Sequence, residues 1–279
     1  MSTPDEYPFE IEGSDREPIR GEIRLPTGAG PRPLLVICHG FKGFKDWGFF
    51  PYLGRRLAER GIPNLIFNFS HSGIGADGKD FSRLDLFAKN TWARELSDLK
   101  SVMDAASEGK LPEPDRYDAS SFHLLGHSRG GGVVILGAAR DARVRQVAAI
   151  ASISHVDRFS DEVKKKWREA GVIKIQNMRT NQEMPMDISF LEDIEGNRDA
   201  YSIRRATTAL AVPLLLIHGE KDESVRPAEA EEIASWADPE RLEMVILPDC
   251  NHVLNSKHPF PGPNPTLDHA IDILSDFLS

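Results

Sequence analysis

The segment Gly126-His127-Ser128-Arg129-Gly130 constrains the fold more than any other stretch of the 279 residues. It follows the apolar run Phe122-His123-Leu124-Leu125 and leads without a linker into Gly131-Gly132-Val133-Val134-Ile135-Leu136-Gly137-Ala138-Ala139. A buried strand that ends in a sharp turn and passes at once into a helix accounts for this order. The serine then sits on a strained backbone with its hydroxyl exposed at the sheet edge. Glycines on either side leave room where side chains would collide as strand and helix close up. The free N–H groups and positive dipole end of the helix point at the serine, where an oxyanion would develop.

Such a turn belongs to a parallel sheet, and the rest of the chain reads that way. Residues 7–25 alternate around Gly13-Ser14-Asp15, which predicts two antiparallel strands joined by a turn. Leu34-Leu35-Val36-Ile37-Cys38 is a continuous apolar run, as in a strand buried on both faces. Further strands are expected at 63–69, 146–153, 213–217 and 242–247, and helices at 52–60, 85–107, 228–236 and 267–278. The long helix rests on the four, three, four spacing of Trp92, Leu96, Leu99 and Met103. Strand–helix alternation predicts an α/β fold with a mostly parallel central sheet and helices on both faces. Residues 155–205 break the rhythm and read as an inserted cap, leaving 1–154 and 206–279 as one core domain.

A serine hydroxyl needs an adjacent base, and the base an orienting acid. In open α/β sheets reactive groups gather at the carboxyl ends of strands. Strand 213–217 is followed by His218-Gly219-Glu220-Lys221-Asp222-Glu223-Ser224-Val225, and strand 242–247 by Pro248-Asp249-Cys250-Asn251-His252. Asp222 fits the spacing His-Gly-x-x-Asp-x-x-Val. Glu220 and Glu223 read as solvated loop acids, and Asp249 comes too late in chain order. The expected catalytic set is Ser128, Asp222 and His252. Its oxyanion donors are the backbone N–H of Phe41, in the loop His39-Gly40-Phe41 after strand 34–38, and that of Arg129. His39 and His127 read as bracing residues.

His39-Gly40-Phe41, Gly126-His127-Ser128-Arg129-Gly130-Gly131, His218-Gly219-Glu220-Lys221-Asp222 and Asn251-His252 together resemble a serine α/β-hydrolase, from about residue 20 to the C-terminus. In detail the chain is similar to bacterial carboxylesterases of the feruloyl/cinnamoyl-esterase and dienelactone-hydrolase-like type. The resemblance implies a lid over an acyl or aryl pocket at 155–205. Dienelactone hydrolases use a cysteine nucleophile and haloalkane dehalogenases an aspartate, so Ser128 speaks against both activities. The expected reaction is cleavage of short acyl or aromatic-acid esters through an acyl-enzyme. A small peptidase of the prolyl-oligopeptidase type and a non-catalytic binding module stay open as alternatives.

Composition narrows the partners. A net charge of −9 and no long basic block argue against nucleic acid. No apolar run reaches membrane-spanning length, and Met1 to Glu6 lack a basic patch leading into an apolar stretch. Two cysteines, Cys38 and Cys250, make no disulfide framework. The expectation is a cytoplasmic enzyme acting on a small-molecule ester without metal or cofactor, with a homodimer left open. His71 and His155 are candidates for the pocket wall or ordinary loop residues. Trp167, Met178, Met184, Met186 and Phe190 line the substrate or form the insert's own core.

Overall fold

A computed structural model describes residues 3–28, 30–178 and 180–279. The chain opens with two antiparallel strands, β1 (Asp5–Glu12) and β2 (Pro18–Leu25), and enters the centre of the sheet at β3 (Pro33–Cys38). There follow α1 (Phe50–Glu59), β4 (Asn64–Asn68), α2 (Leu84–Ala88), α3 (Trp92–Ser107), β5 (Asp118–His127), α4 (Arg129–Ala138) and β6 (Val144–Ile150). The middle block holds α5 (Asp161–Ala170), β7 (Val172–Asn177), β8 (Gln182–Asp187), α6 (Ile188–Gly196) and α7 (Ile203–Ala209). The alternation resumes with β9 (Leu214–Gly219), α8 (Pro227–Trp236), β10 (Leu242–Leu247) and α9 (Pro265–Phe277).

Eight strands form one sheet in the order β1-β2-β4-β3-β5-β6-β9-β10. β1 pairs with β2 and β2 with β4 antiparallel; every other pair is parallel. Leu34 to Cys38 have no exposed surface, as a strand covered on both faces requires. Burying each of their aliphatic side chains stabilises the fold by about 1.5–3 kcal/mol. Among the helices, α1 packs on α9, while α4 packs on α3 and α7, α7 on α8, and α6 on α3 and α5.

From β3 the chain moves outward to β4, then returns past β3 to β5. Strand order therefore reverses between β3 and β5, and open α/β sheets form their ligand crevice outside the carboxyl ends of strands at such a point. The loop carrying Phe41 and the turn at Ser128 leave the sheet there.

Two expectations need correction. The helix expected over 85–107 is two helices, α2 and α3, separated at Lys89-Asn90-Thr91. Thr91 is extended (φ −141°, ψ 166°), and its hydroxyl accepts from the Arg94 N–H at 3.3 Å, so the second helix has its own N-cap. The middle block is more regular than its sequence, since β7 and β8 form an antiparallel hairpin in register from Val172↔Asp187 to Asn177↔Gln182. Moreover, α7 runs across residue 205 and contacts α4 and α8.

Candidate active site

Ser128 joins β5 to α4 with φ 57° and ψ −120°, a backbone conformation that a non-glycine residue holds only when its surroundings impose it. The surroundings are glycine. A Cβ on Gly126 would sit 2.1 Å from the Gly130 carbonyl oxygen, and one on Gly130 would sit 2.3 Å from the Cys38 carbonyl oxygen. The strand, the turn and the neighbouring β3 meet so closely that no side chain fits at either position.

The Ser128 hydroxyl donates to His252 Nε2 at 3.0 Å, and His252 Nδ1–H donates to Asp222 Oδ2 at 2.7 Å. The three side chains come from the ends of β5, β9 and β10, so the shared direction of parallel strands brings them together. Asp222 is itself fixed. Its Oδ1 accepts the Ser224 and Val225 N–H groups, both at 2.9 Å, and its Oδ2 lies 3.4 Å from His218 Nε2. Burial alone would raise its carboxyl. The bonds from His218, His252 and Val225 outweigh burial and hold it well below the usual carboxylate range. His218 Nε2 also lies 2.9 Å from the Val225 carbonyl, to which it can only donate, so its proton sits on that nitrogen.

The rival acids stand apart from this row. Asp249 is exposed and paired with Lys221, Glu220 is exposed and accepts the Asp249 N–H at 3.2 Å, and Glu223 is exposed. Gly40 presses on the turn, since a Cβ there would be 2.9 Å from Ser128 Cβ. Phe41 follows it directly. Among the described residues, the N–H groups of Phe41 and Arg129 have no acceptor within the chain, so both are available beside the serine. His39 is buried against Phe69 and its Nδ1 lies 2.9 Å from the Gly40 carbonyl; burial lowers it to about 4 and keeps it neutral.

Two clefts meet at Ser128 and His252. The larger, about 390 Å³, is walled by Phe41, Trp92, the Arg129 side chain, Phe159, Met186 and Phe190 among others. The smaller, about 300 Å³, lies beside His127 and Val253 and reaches Asn177 and Met178. The middle block thus supplies Val156, Arg158, Phe159, Met186 and Phe190 to one cleft and Asn177 and Met178 to the other. Trp167 and Met184 are fully buried: Trp167 stacks on Phe190 at 6.0 Å and donates to the Met186 carbonyl at 3.0 Å. His71 and His155 line neither cleft. His71 is buried beside Ser70 (2.9 Å), and His155 pairs with Glu232 at the surface. Cys38 and Cys250 are buried free thiols, both raised by burial. Among the described residues, no cluster of three or more His, Cys, Asp or Glu could hold a metal ion, and no helix is long and apolar enough to cross a membrane.

Arg129 is the feature that sequence reasoning missed, having taken only its backbone N–H. Its side chain is buried, its Nε donates to Glu95 Oε2 at 2.9 Å, and its guanidinium lies over the rings of Trp92 (4.7 Å), Phe190 (4.7 Å) and Phe41 (5.4 Å). Burial pushes the Glu95 carboxyl up and the guanidinium down. Asn90 Nδ2 donates to the other Glu95 oxygen at 2.7 Å. Nothing local signals a pairing across 34 residues.

A model of the family described as "Alpha/beta hydrolase family" matches residues 35–261. Esterase EstD of Thermotoga maritima is 24% identical over 253 residues, covering 85% of this chain and 58% of that protein. The chain spans 40% to 63% of the length of the curated relatives it matches. Among solved structures, Est1E of Butyrivibrio proteoclasticus with ferulic acid bound superposes with a TM-score of 0.71 at 19% identity, covering 96% of this chain and 97% of that one. A dienelactone hydrolase from Anabaena variabilis gives 0.62 at 17% identity, covering 99% and 97%.

Proposed function

This chain belongs to the alpha/beta hydrolase family, and from that premise we propose that it is a serine hydrolase cleaving carboxylic esters through an acyl-enzyme on Ser128, His252 and Asp222. The observation that carries the reading is the hydrogen-bonded row from the Ser128 hydroxyl through His252 to Asp222, at 3.0 and 2.7 Å. The esterase relatives support the ester as substrate class.

In this reading the Ser128 hydroxyl oxygen attacks the carbonyl carbon as its proton passes to His252 Nε2. Asp222 holds the other His252 proton and stabilises the imidazolium that forms. The carbonyl oxygen gains negative charge and accepts from the N–H groups of Phe41 and Arg129; losing one such donor costs about 3–4 kcal/mol of transition-state stabilisation. When the tetrahedral centre collapses, the C–O bond breaks and His252 returns its proton to the leaving alkoxide. Water then attacks the acyl-enzyme by the same sequence, releasing the acid and restoring Ser128.

In this reading residues 155–205 act as a cap whose side chains shape both clefts. Clefts of 390 and 300 Å³ suit short acyl or aromatic-acid esters. Labelling by a fluorophosphonate probe, with the adduct mapped to Ser128 by peptide mass, tests the nucleophile. A panel of p-nitrophenyl esters, methyl hydroxycinnamates and peptide amides tests the bond. Labelling elsewhere, or turnover of amides alone, overturns the proposal.

A further inference from the structure

The Arg129 side chain has no task in the ester chemistry above, yet it is 6% exposed and forms part of the wall of the larger cleft. Its Nε meets Glu95, while its Nη2 is buried without an acceptor. Leaving a buried donor unpaired costs about 1–3 kcal/mol, more when the group is charged. Such a donor calls for an acceptor, which a ligand or an ordered water in the cleft supplies. The wall of this cleft carries three basic side chains, Lys42, Arg129 and Arg158, and among the described residues no acidic one. The carboxylates paired with Arg129 and Arg158, Glu95 and Glu229, stand outside that wall. The rings of Phe41, Trp92 and Phe190 lie against the guanidinium and hold its plane in place.

Both clefts reach Ser128 and His252, and the smaller one also touches His127 and Val253. Resting on the serine-hydrolase reading, we propose that the acyl group lies in the larger cleft and the alcohol in the smaller, and that the acyl group carries a carboxylate at its far end, bound by the Nη edge of Arg129. The substrates are then half-esters of short dicarboxylic acids. The cleft wall offers cationic donors and, among the described residues, no carboxylate, and the fork geometry of a guanidinium suits a planar carboxylate.

Three methyl esters of matched acyl length test this at neutral pH: monomethyl glutarate, methyl 5-oxohexanoate and methyl 5-methylhexanoate. They end in a carboxylate, a neutral carbonyl and an apolar group of the same shape. For the wild-type protein, kcat/KM is expected to favour the glutarate half-ester over the apolar ester by about 10- to 100-fold, with the keto ester between. Equal or better turnover of either neutral ester overturns the proposal. In the double variant Arg129→Met/Glu95→Gln, which strands no buried carboxylate, the preference is expected to vanish; a preference that survives overturns the role of Arg129. The wild-type series is decisive even where the variant fails to fold. Failure of fluorophosphonate labelling with no turnover of any ester would instead sink the underlying hydrolase reading, and hydrolysis without preference would sink this inference alone.

Discussion

The side chain of His127 holds the backbone of His252, its Nε2–H donating to the His252 carbonyl oxygen at 2.8 Å. A carbonyl only accepts, so the His127 proton sits on Nε2, and burial lowers the ring to about 3 and keeps it neutral. The residue before the proposed nucleophile thus fixes the loop that carries the proposed base. His127→Phe should fill the space between Phe49 and Phe50 but release that loop. We expect kcat to fall about 10- to 100-fold with a smaller change in KM. An unchanged kcat in a folded variant would show that the tether is structural only.

Ser128→Ala and His252→Ala should each remove most ester hydrolysis, and the double variant should lose little more, because residues acting as a unit are not additive. Steady-state rates of the three purified variants, with thermal melts as the folding control, check this. Near-wild-type turnover by Ser128→Ala would end the serine reading.

Asp222→Asn should lower kcat by about 10⁴-fold if the wrong tautomer of His252 results, as in other triads. Asp249→Asn and Glu220→Gln, both altering exposed carboxylates away from His252, should change kcat by less than about twofold. The reverse order of losses would reassign the acid.

Stability should fall with acid well before the carboxylates titrate. Burial holds His39 and His123 at about 4 and His127 at about 3, against about 6.5 in the unfolded chain. Since the native values are the lower ones, the unfolded chain binds more protons between them. Their contribution is complete above about pH 6.5 and is lost as pH falls through that window, by up to about 1.4 kcal/mol per pH unit for each histidine. Urea midpoints measured down that range should decline, and His123→Phe should make the decline shallower. A flat midpoint would contradict the assignment.

Within the middle block, exposure to the cleft should separate specificity from stability. Phe190→Ala and Met186→Ala alter the cleft wall and should shift acyl preference by about 10- to 100-fold while turnover persists. Met184→Ala and Trp167→Ala create cavities at fully buried positions and should cost about 2–5 kcal/mol of stability. Acyl-chain profiles and denaturation curves on the four variants test the division. A profile unmoved by both wall substitutions would remove the middle block from substrate choice.

The parallel sheet was legible because its strands are short apolar runs with glycine turns at their ends, and the turn at Ser128 because only small residues fit there. The order of the Ser128, Asp222 and His252 segments could likewise be read, since parallel strands deliver their loops to one edge. The break before Trp92 was hidden because apolar residues, Leu84, Leu86 and Phe87, stand on its other side and a single threonine cap interrupts the run. The β7–β8 hairpin was hidden by a proline. Pro185 stands opposite Lys174 inside it, and proline argues against a strand until the strand is known to lie at an edge. The Arg129–Glu95 pair depends on how α3 lies against α4, a tertiary fact that no local spacing encodes.

The row of Ser128, His252 and Asp222 has a consequence for synthesis. Its first two members are 124 residues apart and its acid is 30 residues from the base. All three are held by strands that pair in sequence across half the sheet. Contacts between such distant segments form only after the intervening chain has been ordered. A nascent chain that has reached α4 displays the serine on its turn with no histidine to activate it. On the proposed mechanism the row is complete only once β10 has docked on β9, so ester hydrolysis by Ser128 would report a completed sheet.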